Sequence, residues 1–279
     1  MDYGQPVRFG VFITPEATER PLRIAALADE LDFDVLGIQD HPYQRRFFDT
    51  WTLLAAVAMR TERIRFFPDV ANLPLRPPAM LAKGAATLDI LSGGRLELGV
   101  GAGGFWDAIK AYDGPARTAG ESVSALEEAI QVMRLLWSGQ HGIKFEGEFY
   151  HLRGAHSGPV PAHPIGIWLG AYKPRMLSLV GRLADGWVPS YGYIKEPDLV
   201  EGNGRIDEAA RAAGREPAAI RRVLNAGFME VGQLVDLAVN VGMDTFLVAE
   251  EPDEMRAFMA EVAPRVREEV EARRSHRAD

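Results

Sequence analysis

Short apolar runs alternate with amphipathic stretches along nearly the whole chain. The run "RFGVFI" (8–13) reads as a strand, and "RPLRIAALADELDF" after it carries Leu22, Ala25, Ala26 and Leu31 at helical spacing. The same alternation continues through "VLGIQDH" (35–41), helical "WTLLAAVAMRT" (51–61) and the strand "RIRFFPDVAN" (63–72). Helical "PPAMLAKGAATLDILSG" opens on proline and closes on Ser92-Gly93-Gly94, the punctuation expected of a helix. A fourth strand, "RLELGVG" (95–101), leads to the long helix "ESVSALEEAIQVMRLLWSG" and a small hairpin over 143–152 turning near Glu146-Gly147. Then come strand "IGIWLGA", helix "RMLSLVGRLA", strand "GWVPS", helix "RIDEAARAAG", strand "RRVLN", helix "VGQLVDLAVNVG", strand "DTFLVAE" and a helix from Asp253.

Eight successive strand–helix pairs, with no composition shift or low-complexity linker, predict one (β/α)8 TIM barrel over 1–279. A helical and hairpin excursion follows its fourth strand. In such a barrel the chemistry sits on loops after the C-terminal ends of the strands. Those loops read "QDH", "DVANLPLRPP", "GAGGFW", "GAYKPR" and "PSYGY".

The third of these contains Gly99, Gly101 and Gly104 at the spacing of a dinucleotide fingerprint, which invites a Rossmann reading. Its context is wrong. The loop follows the fourth strand rather than the first, and the acid twenty residues on, Glu121, opens a helix instead of ending a strand. What survives is bare backbone at a strand end, where N–H groups can approach a flat ring or a phosphate.

Composition narrows the partners. A net charge of −8 argues against nucleic acid and anionic membranes. The absence of cysteine excludes disulfides, thiolate catalysis and Cys-ligated metals within this sequence. No apolar run approaches a membrane span and the first residues lack a signal-peptide pattern, so a cytoplasmic protein is expected.

Two loops carry chemistry on their own terms. At the second strand end, Asp40-His41 places an imidazole beside a carboxylate, an arrangement suited to proton transfer; the plainer reading is a helix-capping Asp with an exposed His. Gly170-Ala171-Tyr172-Lys173-Pro174 opens a helix, whose N-terminal N–H groups and Lys173 charge suit a phosphate; a simple βα turn is the alternative. Of the aromatic residues near strand ends, Phe105, Trp106, Trp168, Trp187 and Tyr191, most are expected in the core and one or two against a ligand. His151, His156 and His163 match no zinc spacing, and no metal site is expected.

Read in order, "QDH", "DVANLPLRPPAMLAKGAATLDILSGGRLELGVGAG", "ALEEAIQVMRLLWSG", "IWLGAYKPRMLSLVGRLADGW" and "VAP" resemble the bacterial luciferase-like superfamily of flavin- and deazaflavin-dependent oxidoreductases, in particular small actinobacterial members. The resemblance runs from Phe9 to about Arg267. It implies a cofactor, coenzyme F420 or FMN, at the barrel mouth. It places a non-proline cis bond at Asp69-Val70 against the ring and Asn72 at the ring's pyrimidine edge. Gly101, Ala102, Gly103 and Gly104 would then line the cofactor, with residues 170–174 and Ser190 toward its phosphate. In the F420-dependent sugar-phosphate dehydrogenases that the chain resembles, the "DH" pair lies beside the ring and the glycine loop supplies a glutamate as proton donor. That position is Gly104 here, which speaks against a sugar-phosphate substrate and leaves Asp107 as a substitute acid.

The implied function is oxidoreduction of a small organic substrate, by hydride transfer with F420. The alternatives are an FMN-dependent two-component monooxygenase fed by a separate reductase, or a catalytically silent cofactor-binding barrel. Apolar residues around much of "WTLLAAVAMR" and "PAMLAKGAATLDIL" add the expectation of a homodimer.

Overall fold

The computed structural model describes residues 1–248 and 251–278, with side chains through His276. Its main sheet is built from β1 (Arg8–Ile13), β2 (Val35–Ile38), β3 (Arg65–Pro68), β4 (Ala71–Asn72), β5 (Leu98–Gly101), β8 (Ile167–Leu169), β9 (Gly186–Trp187), β10 (Arg221–Asn225) and β11 (Thr245–Leu247). The strands run in the order β3-β2-β1-β11-β10-β9-β8-β5-β4, each pair parallel. β3 pairs with β2 and β4 with β5, and a parallel bridge joins Phe66 to Leu96, so the ring closes. β3 and β4 are halves of one strand interrupted at Asp69-Val70, whose peptide bond is cis. Nine strands therefore fill eight barrel positions, as the alternation of apolar runs and helices requires.

Helices α1 (Arg20–Glu30), α2 (Thr50–Arg60), α3 (Pro78–Leu91), α5 (Ala119–Trp137), α6 (Pro174–Leu183), α7 (Glu196–Ala212), α8 (Val231–Asp236), α9 (Pro252–Ala257) and α10 (Ala263–Ala278) pack around the barrel. A short α4 (Trp106–Ala111) and an antiparallel hairpin, β6 (Ile143–Glu146) and β7 (His151–Ala155), form the excursion after β5. The hairpin's second strand runs to Ala155, beyond the expected His151–Leu152 end. The end of the expected strand "DTFLVAE", at Ala249 and Glu250, lies outside the described residues.

α7 begins at Glu196, nine residues before the expected start at Arg205. The stretch Gly202-Asn203-Gly204 reads as a helix breaker by propensity. Tertiary demand overrides it: a Cβ on Gly202 would come within 2.7 Å of the Trp187 ring, and Asn203 donates to the Val241 carbonyl at 2.7 Å.

The conspicuous motif "LSGGR" serves the fold. Gly93 (φ 71°) and Gly94 (φ 86°) end α3 in left-handed conformations. Buried Arg95 then donates to the carbonyls of Ala58, Thr61 and Ile64, satisfying the frayed end of α2. Glu121 belongs to a capping box, accepting from Thr118 N at 2.6 Å at the start of α5. Neither feature faces a dinucleotide.

Candidate active site

The C-terminal strand ends surround a cavity of about 870 Å³, within the size range of small-molecule sites. Its floor is polar and its rim largely aromatic. Asp40 and His41 reach it from the end of β2, Asp69, Val70 and Asn72 from the interrupted strand, and Gly101–Gly104 from the loop after β5. Gly170, Tyr172, Lys173 and Ser190 complete the expected set. Two expected residues do not line it. Ala171 is buried in the core with its carbonyl accepting from Trp187 Nε1 at 2.8 Å, and Pro174 borders only a smaller adjoining pocket of about 240 Å³.

Asp40 is not arranged as a proton carrier. It is buried, takes a bidentate pair from Arg76 (2.8 Å to each oxygen) and accepts from Asn72 N at 2.9 Å. Arg76 also bonds Asp49 at 2.7 Å, and Asp49 caps α2 through Thr52 N. Asp40 therefore ties β2 to the interrupted strand and to the start of α2. This is closer to the plain helix-start reading of the "DH" pair than to the catalytic one.

His41 does face the cavity. Its Nδ1 lies 2.5 Å from the Tyr43 hydroxyl, and its ring meets Tyr43 and Phe105 edge-on at 5.4 and 5.3 Å. Burial lowers the His41 pKa, with the Asp40 charge opposing. Burial, assisted by Asp40, pushes the Tyr43 hydroxyl up to about 12. The pair is thus a neutral imidazole against a protonated phenol near pH 7.

The glycines have a reason other than ligand contact. A Cβ on Gly101 would sit 2.8 Å from Val70 Cγ2, and one on Gly103 would sit 2.7 Å from Pro74 and 2.9 Å from Trp106. Gly103 also has φ 98°, a conformation that disfavours any side chain. Internal packing alone demands glycine at both. Gly104 differs, because a Cβ there meets nothing within 4 Å. Asp107 is not a substitute acid: its side chain is 99% exposed, paired with Lys110 and outside the cavity lining.

The floor holds the site's unmet polar atoms. Asp69 Oδ2, Asn72 Oδ1 and Asn225 Oδ1 are buried without a hydrogen-bond partner. Burial pushes the Asp69 carboxyl up to about 7, with a contact from Asn225 opposing. Native proteins rarely leave such groups unpaired, so three together mark where a ligand's polar atoms belong. Opposite the floor, Lys173 stands at the N-cap of α6. The volume, the unpaired oxygens and the cationic helix start fit a planar, polar-edged ring carrying a phosphate.

Several contributors escaped the sequence reading. Asn225 ends β10, and a polar residue closing an otherwise apolar run was the available signal. Tyr43, Phe12 and Met176 gave none, being ordinary in loop, strand and helix. Among the other expected aromatics, Trp168 and Trp187 are core, and Phe105 is on the rim, 60% exposed. His163 sits at the opposite barrel end, 2.7 Å from buried Asp89.

The chain belongs to the luciferase-like monooxygenase family, whose model matches residues 6–232. It is 30% identical over 249 residues to a 5,10-methylenetetrahydromethanopterin reductase of Archaeoglobus fulgidus, covering 88% of this chain and 71% of that one. It is 32% identical over 214 residues to an F420-dependent glucose-6-phosphate dehydrogenase of Gordonia bronchialis. That match covers 73% of this chain and 62%, less than two thirds, of the dehydrogenase. Among solved structures it superposes on a coenzyme F420-dependent tetrahydromethanopterin reductase from Methanopyrus kandleri with TM-score 0.79 at 18% identity, covering 93% and 99% of the two chains. A riboflavin lyase with modified FMN gives TM-score 0.80 at 15% identity, covering 95% and 92%. The structural likenesses establish the luciferase-like barrel, and the family makes the chain a luciferase-like oxidoreductase.

Proposed function

We propose that this luciferase-like oxidoreductase uses coenzyme F420 in the cavity at the C-terminal barrel end and transfers hydride to or from a small organic substrate. The observation that carries the reading is the set of three buried, unpartnered oxygens of Asp69, Asn72 and Asn225 in the cavity floor. They supply hydrogen-bonding groups for the polar edge of a ring held by few other polar contacts. When bound, a deazaflavin ring exchanges hydride at carbon, whereas FMN also activates oxygen. The choice of F420 over FMN is supported by the sequence relatives, whose reductase and dehydrogenase members include F420-dependent enzymes. The "DH" pair no longer supports it, since Asp40 is engaged by Arg76.

The chain's own residues have separable tasks in this reading. Val70 presents an apolar surface to one ring face, and Asn72 and Asn225 orient the polar edge. Lys173 and the start of α6 hold the phosphate. The hydrogen bond shared by His41 Nδ1 and the Tyr43 hydroxyl fixes the imidazole and leaves Nε2 for the substrate, and Phe105 packs edge-on against the same ring. The exposed aromatic rim, Phe105 with Tyr172 and Tyr193, suits an uncharged, flat substrate better than a sugar phosphate. Fluorescence titration of the purified protein with F420 and, separately, with FMN tests the reading. Saturable binding of F420 well below the Kd for FMN is expected. Preferential FMN binding would turn the assignment to an oxygen-activating enzyme that needs a separate reductase.

A further inference from the structure

We propose that Asp69 meets the bound cofactor as a neutral carboxylic acid, donating its proton to an acceptor atom of the ring. The inference rests on the cavity being a cofactor site and deepens that reading by naming a proton-bearing residue.

The carboxyl is placed for this by its neighbours. Gly37 on β2 lies opposite, where a Cβ would stand 2.9 Å from Asp69 Oδ2, so the bare glycine makes room for the side chain. Asn225 gives its Nδ2 to Ser190 Oγ at 3.1 Å, which leaves Oδ1 as its unpaired atom. Asp69 Oδ2 and Asn225 Oδ1 are both acceptors when Asp69 is ionised, and neither finds a donor. A proton on Asp69 converts one of them into a donor. Among the described residues, no cation pairs with Asp69.

The titratable and charged groups facing the cavity do not replace that proton. On the β2 side, Asp40 is held by Arg76, and His41 with Tyr43 forms a neutral pair on the wall. On the β8 side, Tyr172 keeps its proton, its pKa raised by burial foremost with the Asp69 charge adding, and its hydroxyl oxygen accepts from Ser190 N at 3.0 Å. Lys173 stands at the start of α6 on the rim, exposed, with no ion pair to Asp69 among the described residues. Phe12 on β1 and Val188, just after β9, add no charge. An ionised carboxylate in this floor would be desolvated with no cation beside it and only a side-chain contact from Asn225 in its favour, which disfavours the charged form. Burial pushes the carboxyl to about 7, so it carries its proton at pH 6 and has largely lost it at pH 8.

The sign of the coupling follows. If the ring binds the protonated form, affinity is full below the carboxyl's pKa and falls above it, approaching about tenfold per pH unit. Asp69→Asn keeps a donor of the same shape and removes the titration. F420 and FMN are titrated separately into wild type and Asp69→Asn between about pH 5.5 and 8.5, and the Kd ratio of the two proteins is taken at each pH to cancel titration of the ligand itself. The expected ratio climbs steadily above pH 7. A second readout needs no ligand: the isotope-edited infrared spectrum of aspartate-labelled wild type minus that of Asp69→Asn, which cancels the band of buried Asp244, should show a protonated carboxyl band that fades between about pH 6 and 8. A constant Kd ratio with normal binding, or no such band, overturns the role of Asp69 and leaves the cofactor reading standing. Failure of both ligands to bind wild type at any pH overturns both.

Discussion

Arg76 links three parts of the site: it grips Asp40, bonds the capping residue Asp49, and sits one short turn beyond Asn72. The Asp40 side chain is fully buried, so Arg76→Ala leaves an uncompensated carboxylate under the cavity rim. Loss of a partner in a buried pair costs about 3–5 kcal/mol; because Arg76 keeps some exposure, about 3 kcal/mol is expected here. Urea denaturation at pH 7 should show a correspondingly lower midpoint with an unchanged slope, and an unchanged midpoint would mean that water replaces the guanidinium. This role was illegible in the sequence. "DH" announces chemistry at a strand end, but the partner lies 36 residues away, and only the fold shows that Asp40 is engaged. His41, Asn72 and Lys173 were legible because strand-end position alone delivers them to the cavity. Asp107 and Ala171 failed for local reasons: one lies on the outer side of a short helix, the other faces the core layer.

Strand–helix alternation set the order of elements, and every expected strand position is occupied. Boundaries were lost where packing overrules propensity. The glycines of α6 and α7 illustrate the rule. Gly181 on α6 faces α7 so closely that a Cβ would meet the Ile206 carbonyl and stand 2.8 Å from Ala209 Cβ. Gly181→Ala gains helix propensity of about 1 kcal/mol and loses more by forcing the helices apart, so a net destabilisation of about 1–3 kcal/mol is expected. Thermal unfolding is the check. A raised melting temperature would show that α6 and α7 can separate without cost. The interrupted third strand carries the same lesson toward function: a run that reads as one strand from 63 to 72 breaks at Asp69-Val70, and the break turns Asp69, Val70 and Asn72 to the cavity.

At the scale of the molecule, the barrel separates its two ends. The N-terminal end carries the paired network of Arg222 with Asp207 and Asn203, while the buried oxygens of Asp69, Asn72 and Asn225, without partners, sit together at the C-terminal end. The outer surface of α2 and α3 exposes Met59 (68%), Met80 (69%) and Leu91 (62%), large apolar side chains with no cover in one chain. We propose that two copies pair through this face. Light scattering at micromolar concentration is expected to give the mass of a dimer, and Met59→Glu with Met80→Glu should give a monomer; a monomeric wild type would remove the interface. No described helix is long and apolar enough to cross a membrane. The central claim, that F420 occupies this cavity, is tested most directly at Gly104, which lines the cavity and where an added Cβ would meet nothing within 4 Å. Fluorescence titration of F420 into wild type and Gly104→Trp, at matched melting temperature, should show tight binding to the first and loss of binding to the second. Equal affinity in both would place the cofactor elsewhere and contradict the claim.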